Sequence, residues 1–146
     1  HSLAAYCRAL EFFSGWSHDP NDARSLALDH VKQALAFTDD DVLVLGYAAG
    51  THLMLQHDRE AANHLITRAL ALQPNRSSTL FWGGWIDLWN QEWNRAEQRF
   101  KKTLEINPRS WARPFTLVGL GFSLLARGDV VAAEPCFKEA ALFLPD

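Results

Sequence analysis

The sequence predicts an all-α fold, a stack of antiparallel helix pairs in about eight helices, on three observations. Three residue types recur in one register: Pro74, Pro108 and Pro145; Gly50, Gly84 and Gly121; Ala62, Ala96 and Ala133, each series spaced by 34 and then 37 residues. An acidic residue, Asp58, Glu92 or Asp129, follows the same spacing. No stretch carries the alternation of a strand pair. Such self-similarity marks a repeat architecture. Two helices approach closely only where side chains are small, so Gly and Ala belong at the crossing. Proline cannot continue a helix and stands just past its end.

Taken in order, the helices are expected at about 2–15, 20–37, 40–55, 58–72, 77–90, 92–106, 114–127 and 129–143. Gly15, Ala27, Val31 and Ala34 make the first pair a degenerate copy, with Asp39 where the proline would stand. Ser17-His18-Asp19-Pro20-Asn21 is its turn, with Pro20 at a first helical position. Thr38 and Asp41 suit a capping pair for the third helix. Asp58, Glu92 and Asp129 face the positive end of the helix dipole, and the two aspartates can also cap backbone N–H groups. Gly128 suits the turn before Asp129. Ile66, Phe100 and Phe137 supply a large apolar residue on one side of each second helix. The three extra residues of the longer spacing fall in Arg109-Ser110-Trp111-Ala112-Arg113-Pro114 and should lengthen that loop or add a turn.

The pattern Gly50…Ala62…Ile66…Ala69…Pro74, Gly84…Ala96…Phe100…Pro108 and Gly121…Ala133…Phe137…Ala140…Pro145 resembles the tetratricopeptide repeat family over roughly the last three-quarters of the chain. The resemblance implies a right-handed superhelical solenoid, with repeats at about 2–39, 40–74, 75–108 and 109–145 forming one domain over 1–146. A start at His1 without an initiator Met, and Pro145-Asp146 directly behind a helix, predict a piece of a longer protein. Arg68-Ala69-Leu70-Ala71-Leu72-Gln73-Pro74-Asn75 with Gly84-Trp85-Ile86-Asp87-Leu88-Trp89 is further similar to the C-terminal repeat regions of bacterial class III adenylate cyclase-like proteins and winged-helix transcriptional regulators. That likeness implies a regulatory or scaffold role beside an upstream catalytic or DNA-binding domain.

In the family the first helix of each repeat lines a concave groove where peptides dock. The matching positions are Tyr47, Thr51 and Met54, then Phe81, Trp85, Leu88 and Trp89, then Phe115, Val118, Phe122 and Leu125. Phe81, Trp85 and Trp89, four apart, share one helix face; Trp82 and Trp93 point elsewhere. Trp carries an N–H to satisfy and favours interfaces, although the same aromatics could instead pack between repeats. Some members hold acidic tails with a clamp of Lys, Arg and Asn; this sequence places Tyr, Thr, Phe, Trp and Val there. Asp87 takes a position the family fills with a large apolar residue and is expected to pair with Arg95 or Arg99.

The leading expectation is therefore a module that binds a protein or peptide, which could be another domain of the same chain. The alternative is a self-association domain, and hence a homodimer. An enzyme is the least supported reading: there is no catalytic motif, no cofactor motif and no metal pair. His52, His57 and His64 are five and seven apart, off helical ligand spacing. Gly119-Leu120-Gly121 lacks a phosphate loop's third glycine. Asp39-Asp40-Asp41 complements a helix start rather than holding calcium. A net charge of −3 offers phosphates no general attraction. Glu97 and Glu105 interrupt the basic run Arg95, Arg99, Lys101, Lys102, Arg109 and Arg113, which reads as a solvated helix face. No apolar run approaches the ~18 residues of a membrane span. Cys7 and Cys136, at opposite ends, read as buried or half-buried thiols of a reducing, cytoplasmic compartment.

Overall fold

The computed structural model describes residues 3–4, 7–8, 11, 15–16, 18–38, 40–56 and 58–143. Its described residues form helices joined by turns, with no strand among them. The helices are α1 (Pro20–Phe37), α2 (Val42–Gln56), α3 (Arg59–Leu72), α4 (Ser77–Trp89), α5 (Trp93–Ile106), α6 (Arg113–Ala126) and α7 (Val130–Ala141). Each end lies within two residues of its expected place. Of the helix expected at 2–15, residues 3, 4, 7, 8 and 11 are helical, Gly15 lies in a turn (φ 69), and the others lie outside the described residues, as do Asp39 and His57. The chain divides into two compact units, His1–Pro74 and Asn75–Asp146.

In the first unit Asp19 caps α1, its carboxylate accepting from the N–H of Asn21 at 3.0 Å and Asp22 at 3.1 Å, with Pro20 at the helix start. Alanines set between larger apolar side chains seat the helices: Ala27, Val31 and Ala34 of α1, Ala48, Ala49 and Leu53 of α2, and Ala62, Ile66 and Ala69 of α3 are buried. Asp41 alone caps α2, accepting from Leu43 N–H at 2.8 Å and, more loosely, Val44 N–H at 3.3 Å. Thr38 takes no part in that cap, because it closes α1 in extended backbone (φ −157, ψ 125).

The second unit holds α4–α7 around Ala96, Phe100, Leu120, Leu124 and Ala133. Asp129 caps α7 through Ala132 N–H at 3.0 Å, as Asp58 caps α3 through Ala61 N–H at 3.0 Å. Glu92 makes no side-chain cap. The turns after α4 and α6 close alike. Glu92 N–H reaches Asp87 O at 2.9 Å over Gln91 (φ 64), and Asp129 N–H reaches Leu124 O at 3.0 Å over Gly128 (φ 84). The insertion forms turns over 107–112, where Ala112 N–H donates to Ser110 Oγ at 3.1 Å and Arg113 N–H to Ser110 O at 2.9 Å.

Candidate functional site

The pairs α4–α5 and α6–α7 repeat one packing plan. A Cβ at Gly84 would stand 2.7 Å from Phe100 Cε1, and one at Gly121 2.6 Å from Phe137 Cζ. Trp85 meets Phe100 edge to face at 5.6 Å, and Phe122 meets Phe137 at 5.4 Å. Gly84 faces Phe100 and Asp87 faces Arg95, so α4 and α5 are antiparallel. Phe100 faces Gly119 and Glu97 faces Arg127, so α5 and α6 are antiparallel too. It follows that α4 and α6 run the same way, and they touch directly.

This places one apolar face on α4 and α6. Phe115, Val118, Phe122 and Leu125 form a stripe at helical spacing along α6; Phe122 is 46% exposed, Phe115 and Leu125 are exposed, and Val118 is half-buried. On α4, Trp89 is 41% exposed while Trp85 and Leu88 are half-buried. Exposed Trp111 extends the stripe, its ring edge-on to Phe115 at 6.3 Å. The only charged residue of α4 is Asp87, which is buried, and that of α6 is Arg113, which is bound to Glu139 and to Pro108 O.

Two of the expected groove residues are not on a surface. Phe81 is buried, its ring edge-on to Trp82 at 5.0 Å, although it lies one turn before half-buried Trp85 on the same helix face. Thr51, in the first unit, is fully buried and donates its hydroxyl to Tyr47 O at 2.9 Å. Tyr47 and Met54 of that unit are half-buried.

Charge is confined to the flanks of the face. Asp87 accepts from Arg95 Nη2 at 2.8 Å, and Arg99 Nη1 stands 2.9 Å from its other oxygen as an ion-pair contact. Asp87 therefore pairs with both expected bases. The hydrogen bond from Arg95 to Asp87 raises the Arg95 pKa, whereas burial lowers that of Arg99. Glu97 is held below its ordinary range, first by the hydrogen bond from Lys101 (2.6 Å) and then by Arg127 from the end of α6. Arg113 at the start of α6 donates through Nε to Glu139 of α7 at 3.0 Å.

The other chemistry-bearing residues are scattered. Among the described residues no group of three His, Cys, Asp or Glu could hold a metal ion. Gly119 and Gly121 sit inside α6, where they admit the rings of Phe100 and Phe137. Cys136 is half-buried, and burial raises its thiol pKa. Cys7 is exposed, contrary to the buried or half-buried place expected of it. Among the described residues no helix is long and apolar enough to cross a membrane.

No protein-family model matches the chain, and no curated protein does.

Proposed function

We propose that the chain is a protein- or peptide-binding repeat module, the scaffold or regulatory part of a larger cytoplasmic protein, and that it docks an apolar segment on the α4–α6 face. The carrying observation is an exposed aromatic stripe on two parallel helices that bear no exposed, unpaired charge of their own. Soluble proteins rarely leave such a patch without use. Its 3–4–3 spacing suits an amphipathic helix or a short apolar peptide. The repeated glycine–phenylalanine packing of the two helix pairs supports a tetratricopeptide-type, right-handed solenoid as the parent architecture. The adenylate cyclase-like and transcription-regulator likeness remains part of this reading as the kind of protein such a module would regulate. Chemistry, cofactors and nucleic acid play no part in it.

Phe122 and Trp89 make the test, since their exposure lets them be truncated with little loss of fold. Peptides selected from a random library on the wild-type chain should lose at least about tenfold in affinity to Phe122→Ala and Trp89→Ala. Selected peptides that ignore both substitutions would sink the reading. The stripe is also self-complementary, which favours self-association as a second reading. Sedimentation separates the two: a dimer dissolved by Phe122→Ala supports the second, and a monomer the first.

A further inference from the structure

We infer that the outer side of α7 is a docking surface for one amphipathic helix of defined pattern. That helix sets a glycine or alanine over the Phe137 ring and an arginine or lysine eight positions later beside Glu134. The surface adjoins the α4–α6 face where Phe122 meets Phe137, but the inference does not rest on the role proposed for that face.

α5 is the counterpart of α7 37 residues earlier. Ala96, Glu97, Phe100 and Lys101 correspond to Ala133, Glu134, Phe137 and Lys138. The copies agree in detail. Glu97 pairs with Lys101 at 2.6 Å, and Glu134 with Lys138 at 2.6 Å. Each phenylalanine is approached from one side by a bare glycine of the preceding helix, Gly84 or Gly121.

They differ in what lies on the other side. On α5, α6 brings Gly119 against the Phe100 ring and Arg127 onto Glu97. Phe100 is thereby fully buried, and the Glu97 side chain is only 12% exposed. On α7 no described residue takes either place: Phe137 stays half-buried and the Glu134 side chain is 62% exposed. Val130 and Ala141 are also exposed there, whereas their counterparts Trp93 and Leu104 are half-buried. Val130, Glu134, Phe137 and Ala141 fall on one helical stripe, so one further helix covers all four.

The occupant's chemistry follows from what already fits α5. It needs a small residue where the ring must enter, a base eight residues toward its C-terminus, and an antiparallel course. The chain's own α6 meets these demands but is already placed between α5 and α7. A second copy has no other α6-type helix to offer, so the occupant is a helix of another polypeptide segment with this pattern.

A labelled synthetic peptide of residues 109–128 is the probe, added to the full chain and followed by fluorescence anisotropy. Saturable one-to-one binding is expected. Glu134→Arg in the chain, with folding verified by circular dichroism, should weaken it at least about tenfold, as should Gly119→Phe in the peptide. Trp89→Ala in the chain, which alters the α4–α6 face without touching α7, should leave it unchanged. The inference is overturned if no saturable binding occurs at roughly millimolar peptide, or if both weakening substitutions are without effect. It is equally overturned if Glu97→Gln weakens binding and Glu134→Arg does not, since the peptide would then be exchanging with α6. A dimer of the chain alone that Glu134→Arg dissolves would make the occupant a second copy, and would also overturn it.

Discussion

Gly119 makes room for the Phe100 ring: a Cβ built on Gly119 would stand 2.4 Å from Phe100 Cζ. The same ring is pressed from the α4 side by Gly84, so it has nowhere to retreat.

Gly119→Ala should therefore destabilise the protein by about 1–3 kcal/mol through overpacking, outweighing the ~1 kcal/mol of helix propensity that alanine brings. Urea unfolding measures this. Combined with Phe100→Leu, the cost should be less than the sum of the two single substitutions. Strict additivity would show that the ring and the glycine are not coupled.

Gln91 holds a left-handed conformation at the place where the next repeat has Gly128. A non-glycine residue spends about 1–2 kcal/mol there, and glycine returns part of that in unfolded-chain entropy. Gln91→Gly should raise stability by about 0.5–1 kcal/mol, visible as a higher melting temperature.

Asp87 is 2% exposed between two arginines. Asp87→Ala leaves the largely buried Arg99 without its partner, at an expected cost of about 3 kcal/mol. Replacing both, as Asp87→Leu with Arg99→Leu, should recover most of that loss. A double variant as unstable as the single one would contradict this account.

Glu97 has its pKa lowered from the ordinary 4.5, chiefly by Lys101. A carboxylate with a depressed folded-state pKa adds stability that is present above its unfolded pKa and is lost as pH falls through the folded value. Melting temperature should thus drop below about pH 4.5, and Glu97→Gln should flatten that acid limb while lowering stability at pH 7. An unchanged acid limb would place the proton uptake elsewhere.

The helices were legible in the residues because proline, glycine and acidic caps act locally and recur in step. Asp87 was legible as a paired acid because a lone buried carboxylate is costly, although which arginine it takes depends on the packing of α5. Burial of Phe81 and Thr51 was not legible: family position names a helix face, whereas the burial of each turn depends on the neighbouring helices. Trp111 was overlooked although it precedes Phe115 by four, since it lies in the inserted turn ahead of α6. The bond from Arg127 to Glu97 joins residues far apart in sequence, and no local pattern announces it.

The asymmetry between Phe100 and Phe137 also bears on motion. α5 is flanked by α4 and α6, whereas α7 has only α6 beside it among the described helices. Amide hydrogens of α5 should exchange slowest in the second unit and those of α7 fastest, so that this unit unzips from its C-terminal edge inward.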